Sequence, residues 1–286
     1  MKRFTFTIVL FLLIGLTYSC NANITKNNDL KKEGFYGDIE TIIVTEYKLS
    51  TRFGEEFIDG LLRKVVVKFN NDGNLIESNG YYSDGDSKGM DKYTYDDKGN
   101  LIEKNRYGSD GKLEWKYKYT YDDKGNKIEE NCYGSDGKLG CKTKYTYDDK
   151  GNKIEENCYG SDGKLDSKTK YTYDDKGNLI EKNRYGSDGK LDWKYKYTYD
   201  DKGNKIEEEE GYYKPNGELK MWKTKFSYNK MGYLIEENCY GSDGKLDYKT
   251  KYTNDEKGNK IDEKSYNINN VLKEPTKLIK YEIIYR

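Results

Sequence analysis

The stretch Y-T-Y-D-D-K-G-N-K-I-E-E-N-C-Y-G-S-D-G-K-L-G-C-K-T-K, Tyr119 to Lys144, decides the fold, because the chain repeats it. The motif Y-x-Y-D-D-K-G-N starts at Tyr93, Tyr119, Tyr145, Tyr171 and Tyr197, 26 residues apart each time. A degenerate copy starts at Val67, and later copies start at Phe226 and Tyr252, which makes eight. Residues 93–130 and 171–208 differ only at Glu114 against Asp192, so a block of three repeats has been duplicated. Self-similarity at a fixed period is the mark of a repeat architecture.

Each copy carries two turn signals. Asp122-Asp123-Lys124-Gly125 places Asp first and Gly fourth, which suits a type I turn followed by a glycine at positive φ. Gly134-Ser135-Asp136-Gly137 has the same form. The segments between them, such as 126–133 and 138–147, alternate in polarity and show no helical period. Strands joined in succession by tight turns must be antiparallel. The expected fold is therefore all-β, a long antiparallel meander of hairpins forming a single-layer, curled or spiralling sheet. The apolar segments at either end, 35–66 and 266–286, are expected to be β caps around a repeat region at 67–265.

Turn geometry also predicts a register. If Asp122 opposes Asn126, regular pairing puts Tyr119 opposite Glu129, and Tyr133 opposite Leu139. One face then shows Tyr119, Tyr121, Tyr133, Leu139 and Tyr145. The other shows Thr120, Ile128, Glu130, Cys132, Lys142 and Lys144, with Glu130 between Lys118 and Lys142.

Composition narrows function. Lys plus Arg number 51 and Asp plus Glu number 51, so the formal net charge is zero. A balanced surface is a poor partner for nucleic acid, which is held chiefly by phosphate neutralisation. Histidine is absent, and with it the commonest general base and metal ligand. The hydrophobic fraction is only 34%, yet 31 tyrosines supply large rings with polar tips. The Asp-rich turns lack the spacing of an EF-hand loop, and no metal or cofactor is expected. No nucleophile–base set stands out, so no enzyme is expected either.

The N-terminus reads as an export signal. Lys2 and Arg3 precede an apolar run, Phe4 to Leu16, that is short for a membrane span. The run ends at Leu16-Thr17-Tyr18-Ser19-Cys20, which resembles the lipobox of bacterial lipoproteins although Tyr18 is large for its place. The resemblance implies a signal peptide at 1–19, lipid on Cys20 and an exported, membrane-anchored lipoprotein of the cell envelope, in the outer membrane. Polar residues 20–34 read as a flexible tether.

The pattern Y-x-Y-D-x-x-G-N-[LK]-I resembles the YD repeat of RHS-type proteins over roughly residues 62 to 260. In that family hairpins make a strip that spirals, sometimes into a shell. This chain lacks the family's self-cleaving region, and its repeat is longer than the typical unit. The expected sheet also resembles that of outer-surface lipoproteins with single-layer β-sheets.

One position per repeat on the tyrosine face varies: Gly89, Trp115, Cys141, Ser167, Trp193, Trp222 and Tyr248. The candidate ligand-binding residues are Trp115, Tyr117, Tyr133, Trp193, Tyr195 and Trp222, with Trp115 expected beside Tyr133. Aromatic platforms suit a carbohydrate or a protein partner; the alternative is that these rings only pack the face. Cys132, Cys158 and Cys239 share one repeat position, about 9.6 Å apart in adjacent repeats, too far for a disulfide. Cys141 is expected on the opposite face. The sequence thus points to a non-enzymatic envelope binding module for glycan or an envelope or host partner, or else to a scaffold or variable surface antigen.

Overall fold

A computed structural model describes residues 28–214, 216–268 and 275–286. It opens with a helical turn, α1 (Asp29–Lys32), and continues as eighteen strands. The first six are β1 (Ile39–Arg52), β2 (Glu55–Phe69), β3 (Leu75–Tyr82), β4 (Ser87–Tyr95), β5 (Leu101–Tyr107) and β6 (Leu113–Tyr121). Next come β7 (Lys127–Gly134), β8 (Leu139–Tyr147), β9 (Lys153–Gly160), β10 (Leu165–Tyr173), β11 (Leu179–Gly186) and β12 (Leu191–Tyr199). The last are β13 (Lys205–Tyr213), β14 (Leu219–Tyr228), β15 (Leu234–Tyr240), β16 (Leu246–Asn254), β17 (Lys260–Asn267) and β18 (Pro275–Tyr285). Every strand pairs antiparallel with its chain neighbours, and β1 also pairs with β18. The meander therefore closes into a barrel. The two apolar ends, read from sequence as β caps, pair with one another: Ile42 lies opposite Ile283 and Val44 opposite Tyr281.

The motif Y-x-Y-D-D-K-G-N builds its own turn. Asp122 Oδ1 accepts hydrogen bonds from the backbone N–H of Lys124 at 3.0 Å and of Asn126 at 2.8 Å. Its Oδ2 accepts one from Asn126 Nδ2 at 2.9 Å. These bonds favour the ionised carboxylate and hold its pKa below the usual range, the Asn126 side chain contributing most. Gly125 has φ 84°, as the turn requires. The second tyrosine of the motif ties each repeat to the one before it. Tyr121 Oη donates to Leu101 O at 2.7 Å, and Tyr147 Oη to Lys127 O at 2.8 Å.

The register departs from regular pairing beside the turns, except in the β13–β14 hairpin, whose pairing is unbroken. Thr120 pairs with Glu129 but Tyr121 with Lys127, so Ile128 is an extra residue. Cys132 pairs with Cys141 but Tyr133 with Leu139, so Gly140 is another. These β-bulges reverse the side-chain parity of the residues beyond them. Tyr119 hence opposes Glu130, where regular pairing predicted Glu129, and Glu130 and Cys132 join the tyrosine face. Tyr133 and Leu139 move to the other face, away from Trp115, whose partner is Gly134. Cys141, expected opposite, shares the face of Cys132.

The tyrosine face is the inner one. Its members are half-buried, while Lys118, Thr120 and Ile128 on the other face are exposed. α1 lies against this same face. Leu30 and Phe35 pack with Ile39, Ile42, Val67 and Phe69 in the main apolar cluster, and Tyr95 Oη donates to Asp29 Oδ2 at 2.7 Å. Residues 28–34, read as tether, are thus the turn that fills one arc of the barrel at the rim of the D-D-K-G turns. Beside it Asn259 is buried and bonded to both Tyr36 N at 2.5 Å and Tyr36 O at 3.2 Å.

The outer face is a lattice of ion pairs. Lys116 meets Glu103 at 3.4 Å, Lys142 meets Glu129 at 3.3 Å, Lys168 meets Glu155 at 3.3 Å, and Lys249 meets Glu236 at 2.8 Å. Glu129, not Glu130, is the outer partner of Lys142. Partly exposed pairs of this kind contribute about 0–1 kcal/mol each.

Candidate functional site

The inner wall repeats one polar unit. Lys127 Nζ bonds Glu130 Oε2 at 2.7 Å and lies 5.1 Å from the Tyr119 ring and 4.6 Å from the Tyr145 ring. Glu130 also accepts from Tyr145 Oη at 3.1 Å. Lys153, Glu156, Tyr145 and Tyr171 repeat the arrangement one period on, with Lys153–Glu156 at 3.0 Å and Tyr171 Oη–Glu156 at 2.9 Å. Burial raises the pKa values of Tyr119 and Tyr145, and the neighbouring Glu130 adds to the rise at both.

Two strands break the rule together. In β5 and β11 the first inner lysine is replaced by Leu101 and Leu179. The glutamate becomes Lys104 and Lys182, and the cysteine becomes Arg106 and Arg184. Two of the three tryptophans stand opposite these arginines: Arg106 pairs in register with Trp115, and Arg184 with Trp193. The result is two basic-aromatic stations on the inner wall, six strands apart.

The stations differ in how their charge is met. Opposite Arg106 stands Asp91, which is 0% exposed and lies 3.5 Å from the Arg106 guanidinium and 3.7 Å from Lys104 Nζ. Burial depresses the Lys104 pKa while Asp91 opposes the fall. At the other station Thr169 occupies the place of Asp91 opposite Arg184. Arg184 keeps a looser pair with Asp192 at 3.7 Å, its side chain 46% exposed.

The aromatic rings form two rows. Trp115 meets Tyr117 edge-on, centroids 5.0 Å apart, and Tyr117 stacks on Tyr119 at 6.4 Å. Trp193 stacks on Tyr195 at 6.4 Å and contacts Tyr212 at 4.8 Å, and Tyr195 stacks on Tyr197 at 6.4 Å. Trp222 pairs in register with Glu210, which accepts from Tyr195 Oη at 3.1 Å. Burial raises the Glu210 pKa. Trp222 is 37% exposed, whereas Trp115 and Trp193 are half-buried.

Five of the six candidate residues therefore share the inner wall. Trp193, Tyr195 and Trp222 gather on β12–β14, and Trp115 and Tyr117 form the smaller row on β6. Tyr133 is excluded by the bulge. Arg184, Glu210 and Tyr212 belong to the larger row and were not singled out from sequence. The joint change of three residues in β5 and β11 relative to β7 was the signal that could have found the arginine. Cys20 lies outside the described residues. Two shallow clefts of about 430 and 490 Å³ lie at the D-D-K-G rim, lined by residues such as Asn70 and Tyr95, and Asn229 and Asn254. Neither touches the tryptophans.

No family model matches this chain, and no curated protein matches it. Solved structures do. A porin-like protein from Bacteroides uniformis aligns over 86% of this chain and 96% of its own, at 12% identity and TM-score 0.45. A porin-like protein from Bacteroides vulgatus aligns over 87% and 98%, at 13% identity and TM-score 0.34. The Tc holotoxin pore of Photorhabdus luminescens aligns over 76% of this chain but 15% of its own, at 12% identity and TM-score 0.31. These are distant likenesses of repeating β architecture, and they carry nothing about function.

Proposed function

We propose that this chain is a non-enzymatic, lipid-anchored protein of the bacterial cell envelope, and that its inner wall binds a glycan or an extended envelope partner. The observation that carries the binding reading is the row Trp193, Tyr195, Tyr212 and Trp222. It joins large ring faces to both a cation, Arg184, and a carboxyl, Glu210, on the concave side of the sheet. Sugars are held in this way, with an apolar ring face on an aromatic plane and hydroxyls on polar neighbours.

The lipid-anchor reading rests on Cys20 and the segment before it. The outer wall supports an anchor over a bilayer-embedded barrel. Rows of Lys and Glu face outward on successive strands, and each lysine at a bilayer midplane costs about 2–4 kcal/mol. Cys20→Ala is expected to move the protein from the detergent phase to the aqueous phase. Unchanged partitioning would sink the anchor.

Binding is tested with the Cys20→Ala chain and intrinsic tryptophan fluorescence, titrating neutral and acidic oligosaccharides. Saturable quenching is expected, weakened roughly tenfold in Trp193→Ala and Trp222→Ala, the effect of a lost ring contact of about 1.4 kcal/mol. No response to any oligosaccharide, with Trp222 still open to iodide quenching, would favour the scaffold reading. That second reading draws on the stacking of Tyr117 on Tyr119 and Tyr195 on Tyr197, rings that pack on one another.

A further inference from the structure

We propose that Cys132 and Cys141 form a disulfide across the β7–β8 hairpin. The two residues are direct register partners on the inner wall. Opposite residues of an antiparallel pair have Cα atoms about 4.5–5.5 Å apart, inside the window of about 4.4–6.8 Å that a disulfide spans. The thiol of Cys132 leans toward β8, since its Sγ lies 3.7 Å from where a Cβ on Gly140 would sit. The pKa of Cys141 is pushed up to about 12, first by burial and next by its contact with the Cys132 thiol.

The coincidence is confined to this hairpin. Cys158 faces Thr143 on one side and Ser167 on the other, and its Sγ is bonded by Thr143 Oγ1 at 3.6 Å. Cys239 faces Thr224 and Tyr248. Both positions vary along the array: Arg106 meets Trp115, Arg184 meets Trp193 and Glu210 meets Trp222. Among the described residues, only β7 and β8 carry cysteine at both. The bulge at Gly140 makes the pairing, because without it Cys141 would face outward.

The oxidant is a small-molecule or protein disulfide. One thiolate of the pair attacks it, forming a mixed disulfide and releasing the first thiol. The second thiolate then attacks the mixed disulfide, forming the Cys132–Cys141 bond and releasing the second thiol. The pair loses two electrons and two protons, and the oxidant takes up both as two thiols. This chemistry rests on the register alone and is independent of the proposed glycan site.

The test incubates the folded Cys20→Ala chain with oxidised glutathione, alkylates what remains and maps the peptides. The expected product is one intramolecular link, Cys132 to Cys141, in most molecules, with Cys158 and Cys239 recovered alkylated. The double variant Cys158→Ser, Cys239→Ser should give the same link, and Cys132→Ser should give none. Recovery of Cys132 and Cys141 as separate alkylated or glutathionylated residues overturns the proposal. So does a link from Cys141 to Cys158, or an unchanged yield of intramolecular link in Cys132→Ser.

Discussion

At Gly151 there is room for a side chain but no conformation for one. A Cβ there would meet only Asn126 Oδ1, at 3.9 Å, yet φ is 85°. The cost of a substituent is therefore conformational. Gly151→Val is expected to destabilise by about 1–2 kcal/mol, whereas Lys150→Val stays close to neutral. Urea midpoints at an unchanged slope measure both, and equal midpoints would refute the turn assignment. This much was legible in the sequence because the clamp is local. Asp122, Gly125 and Asn126 lie within five positions and make their bonds to one another. The place of Tyr133 was not legible. Its face depends on whether an extra residue enters between it and the turn, and nothing in Lys127-Ile128-Glu129 marks Ile128 as that residue. Sequence alone therefore assigns Tyr119 and the tryptophans to their shared face correctly and attaches the wrong members of the next strand to it.

Among the elements, α1 gives the sharpest prediction. Glu33 lies just past it on the inner side, half-buried, and its pKa is raised to about 7. Burial is the main cause, opposed by the charge of Lys260. The folded value lies above the 4.5 of an unperturbed glutamate, so folding takes up a proton between the two. The contribution of Glu33 is most favourable below about pH 4.5 and declines as pH rises to about 7. Glu33→Gln should match the parent protein near pH 5 and exceed it in stability at pH 8. The comparison needs only urea midpoints of the two proteins at those pH values, and a constant difference would rule out this role. The sequence offered no hint of it. The segment around α1 is polar and short, and Leu30 and Phe35 acquire meaning only when β1, β2 and β18 meet.

For the whole molecule, contacts run along the ladder from each strand to its neighbours, with β1 and β18 joined. Stability should then be a sum over repeats and their interfaces. Deleting Tyr119–Lys144 removes two strands and leaves an even number, so the ends can still meet antiparallel. Such a protein should fold with somewhat lower stability. Deleting 13 residues removes one strand and makes the ends parallel where they must pair, and it should not fold cooperatively. Circular dichroism and urea titration separate the cases, and equal damage from both would contradict the closed meander. Repeat number and antiparallel order were plain from the period. Closure was not, because it depends on Ile42 and Ile283 finding one another across a separation of 241 positions, beyond any local pattern. Closure also sets how the molecule meets a protease. Arg286 N donates to Asp38 O at 3.0 Å, so the first and last strands leave the ring side by side. In an open array a single cut in a G-S-D-G turn would leave the two fragments sharing one ladder. Here they share two, the cut hairpin and the seam, and a nicked molecule should stay assembled until a second cut frees an arc.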